Sequence, residues 1–137
     1  MVKTLIKRTG SPAYIEAIEP NDDSKILYLG SKYESIYMGQ EFKNRNIEVV
    51  ANPGSYETGI EPNIFVVILE NKIPCERILF GNVLFFKKEN DKYVNLEDSD
   101  IEFLNDYLSK YDMTENEKAM AGLFEYSASE IGQRFNK

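Results

Sequence analysis

From Val2 to Lys87 apolar and polar positions alternate mostly with a period of two, and near Ser99 the period becomes helical. Val2 to Lys7 and Ala13 to Glu19 flank Thr9-Gly10-Ser11-Pro12, a cluster that favours a turn, so the pair predicts a β-hairpin. Ile15 and Ile18 also have helix-compatible spacing, but Pro12 and Pro20 leave a helix little room. Asn21, Asp22 and Asp23 offer N-caps for a short helix over Ser24 to Leu29, closed by Gly30 in a left-handed conformation. Tyr33 to Met38 and Ile47 to Ala51 alternate as strands with one better buried face. Ala51 to Asn63 is too rich in glycine and proline for a regular element and predicts an ordered loop or a segment lying against a partner. Ile64 to Leu69 is β-branched and apolar on both faces, as a central strand would be. Asn71 and Lys72 offer a turn, and Ile78 to Lys87 resumes as a strand in which Gly81 marks a bulge or a close backbone approach.

After the polar turn Glu89 to Lys92, Ser99 and Glu102 have the spacing of a capping box, and Ile101, Leu104, Tyr107 and Leu108 share one helical stripe. Thr114 to Glu117 repeats the capping pattern before a second amphipathic stretch, with a third such pattern at Ser127 and Glu130. Strands first and helices last predict an α+β fold: a mainly antiparallel sheet of about five or six strands, one short helix early and two or three helices at the C-terminus. Residues 1–110 form the sheet domain in this reading. Residues 111–137 form a helical extension packed on the same domain or on a partner.

Composition narrows the chemistry. The chain of 137 residues fits one domain, and with no histidine and one cysteine, Cys75, it has no Ser-His-Asp triad, no Cys-His pair and no His/Cys zinc site. Carboxylate, amine, hydroxyl and backbone chemistry stay open. Met1 to Leu96 carries 13 acids against 12 bases, whereas Glu97 to Lys137 carries 10 against 4, so most of the net charge of −7 lies in the C-terminal part. That acidity disfavours direct nucleic-acid binding. Lys3, Lys7 and Arg8, or Lys87, Lys88 and Lys92, offer at most small basic patches, and solvated strand edges and loops are the plainer reading. One cysteine fits a reducing compartment, MVKTLIKRTG lacks the apolar run of a signal peptide, and no apolar run is long enough to span a membrane. The expectation is a cytoplasmic protein.

A resemblance supplies a setting. Gly81-Asn82-Val83-Leu84-Phe85-Phe86, the polar turn, Tyr93-Val94-Asn95-Leu96 and the acidic cap with helix Asp98 to Leu108 resemble the end of a family of small phage and mobile-element proteins, the domain-of-unknown-function family numbered 3846. Leu5-Ile6-Lys7 with Gly10 and Pro12, Ile47 to Asn52 with Gly54, and Gly59 with Pro62-Asn63 agree with it. The resemblance covers about Val2 to Leu108, and Gly30-Ser31 departs from the paired glycine usual in the family. It implies an accessory protein in the cytoplasm of a bacterial host and carries over no catalytic or binding residue.

Glu97, Asp98, Asp100 and Glu102 could suggest a calcium loop, but they lack the glycine and distal glutamate of an EF-hand, and acids at a helix start complement its dipole. No metal or cofactor is expected. Nothing selects a catalytic pair among the 23 acids. Cys75 beside Pro74 reads as a small buried apolar residue. Tyr28, Tyr33, Tyr37 and Tyr56, with Gly59 and Asn63 in the irregular loop, are candidate ligand-binding residues that could stack a base and hold an anion; a core or homodimer face is the plainer fate of such tyrosines. Met120, Leu123, Phe124, Ile131 and Phe135 are candidate partner-binding residues along the C-terminal stretch, which packs on the sheet, exchanges across a homodimer or docks to another protein. The functional expectation is a non-enzymatic phage or mobile-element accessory protein that binds a host protein, against a defence system in the leading version. The alternatives are an acidic DNA mimic, a protein that sequesters a small nucleotide and, last, an enzyme using carboxylate or backbone chemistry.

Overall fold

The computed structural model describes residues 1–30, 32–52 and 62–111. β1 (Val2–Lys7) and β2 (Tyr14–Ile18) form the expected hairpin, paired from Val2 opposite Ile18 to Ile6 opposite Tyr14. Helix α1 (Asp22–Leu29) begins where the Asn21 side chain accepts the Ser24 N–H at 2.9 Å, and Asp22 and Asp23 face the positive end of its dipole. Gly30 takes the positive φ expected of it, 83°, but with ψ of 176° it leads into extended backbone rather than a left-handed turn. β3 (Glu34–Ile36) is shorter than the alternation over Tyr33 to Met38 suggested, because Met38 turns into the core and Gly39, at φ 116°, opens a one-turn helix, α2 (Gln40–Asn44), that the pattern did not announce. β4 (Ile47–Asn52), β5 (Pro62–Glu70), β6 (Ile73–Glu89), β7 (Lys92–Val94) and α3 (Asp98–Tyr111) complete the described chain.

The fold is α+β, and every strand pair is antiparallel. The described residues give a sheet of seven strands, one or two more than the pattern indicated. Asn71-Lys72 and Asn90-Asp91 close two hairpins with positive φ at both turn positions, 53° and 67° in the first and 51° and 63° in the second. These are the values a type I′ turn requires.

The centre of the sheet is β6, not the Ile64 to Leu69 segment expected there. Phe80 pairs with Asn52 and Pro62, Leu84 with Val50 and Ile6, and Lys87 with Ile47 and Val94. A strand has two edges, so β4 occupies one edge of β6 while β5, β1 and β7 lie end to end along the other. Two asparagines fasten the joints of that row. Asn63, fully buried, donates from Nδ2 to the carbonyls of Lys7 (3.1 Å) and Gly81 (2.8 Å) where β5 meets β1. Asn95 accepts the Lys3 N–H at 2.7 Å where β1 meets β7. Gly81, at φ 69°, sits in the first joint, where the register of β4 on β6 shifts. It is the bulge that its place in the apolar run predicted.

The sheet has two covered faces. Leu5, Phe85 and Val49 align across β1, β6 and β4 on the face closed by Phe42 of α2 and Leu104 and Leu108 of α3. Ile6, Leu84 and Val50 align on the other, under Leu29 of α1 and a rim of Tyr14, Tyr28, Tyr33 and Tyr93. The predicted stripe of α3 is its inner face, but the helix starts before Ser99. Glu97 stands in the N-cap position, and Asp100 rather than Glu102 reaches back to accept its N–H, at 2.9 Å. The second C-terminal helix lies outside the described residues.

Candidate functional site

Three side-chain groupings concentrate the polar and exposed chemistry of the described residues. The first is the tyrosine rim. Lys25 Nζ donates to the Tyr93 hydroxyl at 2.9 Å, and that hydroxyl donates to Glu48 Oε1 at 2.8 Å. The same ammonium lies 4.9 Å from the centre of the Tyr93 ring and 5.6 Å from that of Phe86, within cation–π range. Burial, and then the bond to the Glu48 carboxylate, raise the Tyr93 phenol well above its usual range. Tyr33 donates to Asp22 and Tyr28 donates to Glu16 at 3.1 Å, each bond raising the phenol; for Tyr28 burial is the larger cause. Arg8 closes the row, donating from Nε to the Tyr14 hydroxyl at 2.9 Å and lying 5.2 Å from the Tyr28 ring centre. Beside this network an open, polar cleft of about 390 Å³ is lined by Lys43, Glu48, Lys88, Asn90 and Asp91, among others.

The second grouping holds α3 on the sheet. Lys87 and Asp100, 7 % and 2 % exposed, meet at 2.8 Å, with Glu97 and Glu89 at 3.8 and 3.9 Å from the same ammonium. The bond to Asp100 raises Lys87 above its ordinary value. Lys87 therefore points inward, in phase with Val83 and Phe85, and Lys7 is buried as well. Each of the suggested basic patches therefore loses one lysine to the interior, while Lys3, Arg8 and Lys92 stay exposed. Asp100 is turned inward while Glu97, Asp98 and Glu102 are exposed, so the four acids do not converge as a calcium site would require. Among the described residues no group of three acids or cysteine is placed to hold a metal ion.

The third is mostly apolar, with Gln40 and Glu41 also in its lining. A groove of about 320 Å³ runs beside β5 between Met38 and Phe42 on one side and Tyr107 and Tyr111 on the other. Desolvation raises the Tyr107 phenol well above its usual range, and its buried hydroxyl has no hydrogen-bond partner among the described residues. At the end of the β5–β6 hairpin Val67, Leu69 and Ile73 are exposed by 41 %, 68 % and 63 %.

The structure brings together only part of the proposed ligand set. Tyr28 and Tyr33 share the rim, but their hydroxyls are bonded to Glu16 and Asp22. Tyr37 is exposed on the link from β3 to α2, and Asn63 is buried in the joint between strands. Tyr56, Gly59, Met120, Leu123, Phe124, Ile131 and Phe135 lie outside the described residues. Cys75 is half-buried against the helical-face core, with its Sγ 3.5 Å from the Ile73 carbonyl. The Lys25–Tyr93–Glu48 network was not visible in the sequence, because its members are 23 and 45 residues apart and carry no motif. Lys87 did carry a signal: strand alternation places it inward, which requires a buried partner.

No family model, curated protein or solved structure matches the chain. Among the described residues no helix is long and apolar enough to cross a membrane.

Proposed function

We propose that the protein is a non-enzymatic accessory protein of a phage or mobile element that binds a host protein in the bacterial cytoplasm, as part of counter-defence, through a basic surface on that partner. The observation that carries this reading is the outer face of α3. Asp98, Glu102 and Asp106 are exposed and recur every four residues, about 6 Å apart along the helix. Asn105 and Ser109 lie beside them on the same side, so the row is interrupted by no base before Lys110. The phage setting rests on the short motifs shared with family 3846.

The same row favours a second reading, in which the helix imitates the regular charge of a nucleic-acid backbone and occupies a phosphate-binding groove. Both readings place the energy in carboxylates, and they differ in the partner. The triple variant Asp98→Asn, Glu102→Gln, Asp106→Asn should keep its circular dichroism and lose the partner captured from host lysate. Capture that is unchanged rejects both readings. Affinity that falls steeply with salt for a DNA-binding partner selects the mimic, and a salt-insensitive complex rejects it. The apolar series Met120, Leu123, Phe124, Ile131 and Phe135 remains in the proposal as a second contact region; deletion of residues 114–137 should weaken capture, and undiminished capture removes that region from the proposal.

A further inference from the structure

We propose that in the free protein the groove beside β5 seats the chain's own C-terminal segment, with Met120, Leu123 and Phe124 as the side chains that enter it. The buried positions of the groove are apolar. Met38, Phe42, Val66 and Ile68 are buried in its lining, and Tyr107 and Tyr111 of α3 form a half-buried aromatic wall. Gln40 and Glu41 are its exposed polar members. A space of about 320 Å³ takes a few large side chains, which is what one face of an amphipathic helix presents to a groove.

The occupant follows from the course of the chain. Tyr111, the last described residue, is itself part of the groove wall. Only Asp112 and Met113 separate it from Thr114, where the capping pattern with Glu117 predicts the next helix. Such a link spans at most about 10 Å, so a helix begun at Thr114 starts beside the groove. Met120, Leu123 and Phe124 fall on one side of that helix, at spacings of three and four and within about two turns of its start.

Proximity favours this occupant over one met in solution. A segment tethered by so short a link faces its own groove at an effective concentration in the millimolar range or above. A second copy is opposed by like charge as well, since each chain carries −7. If these side chains also contact a host protein, as the proposed function has it, that partner competes with the groove for them. The docking itself does not depend on that reading.

The chain has no tryptophan, so one placed at the groove reports on its covering. Gln40→Trp, at an exposed position of the lining and far from the segment in sequence, should fluoresce as a shielded indole, blue-shifted and poorly quenched by acrylamide relative to N-acetyltryptophanamide. Glu41→Trp gives the same readout from the neighbouring position if the first variant loses its circular dichroism. In the full-length reporter, Leu123→Asp with Phe124→Asp should lower the docked-to-undocked ratio at least about tenfold, moving emission and quenching towards those of the free indole. Ser129→Lys, on the opposite side at helical spacing, should leave both unchanged. Every spectrum should be the same from about 1 to 100 µM, as a contact within one chain requires. A reporter quenched as freely as N-acetyltryptophanamide, a reporter indifferent to the double substitution, or shielding that grows with concentration overturns the proposal. The readout uses no host partner, so it holds or fails separately from the capture experiment.

Discussion

Among the described residues, fifteen buried apolar side chains, those of α2 and α3 included, form the core on one side of the sheet, while on the other six, Leu29 of α1 included, lie under a ring of tyrosines whose hydroxyls and rings hold charged groups. The first face excludes water by packing. The second ends in amphipathic side chains that bury a ring and keep a polar tip bonded to Lys25, Glu48, Asp22 or Glu16. One strand supplies both faces, because alternate residues of β6 point to opposite sides. The comparison predicts that equal changes on the two faces have unequal consequences. Stability there depends on how far the surroundings can close over a lost group.

Phe85 and Phe86 are neighbours, both fully buried, on opposite faces. Phe85 stacks with Phe42 at 6.4 Å beneath α2 and α3, whereas Phe86 meets the Tyr93 ring edge-on at 5.1 Å beside the Lys25 ammonium. Truncating a buried phenylalanine costs about 3–5 kcal/mol, and the cost grows with the cavity that remains. Phe85→Ala should reach the top of that range, and Phe86→Ala should fall about 1 kcal/mol or more below it, because the tyrosine rim can relax inward. Urea denaturation of the two variants checks this, and equal losses would break the comparison.

The buried Lys87–Asp100 pair on the packed face should give the next largest effect. Asp100 neutralises Lys87 and accepts the Glu97 N–H, so Asp100→Ala leaves an ammonium and a helix end without their carboxylate. Breaking a buried pair costs about 3–5 kcal/mol, with the low end expected here because Glu97 and Glu89 approach the same ammonium. Replacing both members, Lys87→Met with Asp100→Leu, should cost less than Asp100→Ala alone. A larger loss in the double variant would show that the pair itself favours the fold.

These two faces were unequally legible in the sequence. The packed face writes itself as period: Leu104 and Leu108 on α3, and Val83 and Phe85 on β6, recur at spacings that only their elements explain. Turn chemistry was legible for the same reason, since Asn71-Lys72 and Asn90-Asp91 sit between apolar runs and adopt the positive φ that asparagine tolerates. Ile64 to Leu69 misled because an apolar run records that side chains are buried or sticky, not which strands lie beside it. Its outward residues, Val67 and Leu69, read as core and are exposed. The start of α3 misled by two residues because several of its acids and serines can cap, and the choice was made by Lys87, 13 positions away. The tyrosine rim was legible only as tyrosines near the sheet, Tyr28 and Tyr33 among them, and not as a hydrogen-bonded network, since a tyrosine has the same pattern whether its hydroxyl is bonded or free. The acidic outer row of α3 was legible as charge, and its alignment became visible only with the helix boundaries.

Alkaline pH bears on both faces with one sign. Lys87, Tyr93 and Tyr107 all hold their protons more tightly in the folded chain than ordinary lysine and tyrosine do, Lys87 because of Asp100 and the phenols chiefly because of burial. The unfolded chain therefore loses protons first. The stability these groups contribute is complete below the ordinary values of 10.0 and 10.5 and is lost as pH rises through the higher folded values. Denaturation midpoints should be flat from about pH 7 to 9 and fall above about pH 10. A midpoint that rises there would contradict the buried pair and both phenols.

The smallest effect separates the faces by a single oxygen. Tyr93 on the rim accepts from Lys25 and donates to Glu48, so Tyr93→Phe removes two bonds to charged groups and leaves a partly buried ammonium and carboxylate short of a partner. That should cost about 1–3 kcal/mol. Tyr107 on the packed face lies edge-on to Phe42 with ring centres 4.9 Å apart, and its hydroxyl is buried without a partner among the described residues. Tyr107→Phe keeps the ring and removes only the unsatisfied group, so it should be neutral or stabilise by up to about 1 kcal/mol. Thermal and urea midpoints of the two variants give opposite signs if one face is held by packing and the other by its polar rim. A loss at Tyr107 as large as that at Tyr93 would mean that this hydroxyl has a bonded partner in the protein, and the contrast between the faces would then narrow to the depth of their packing.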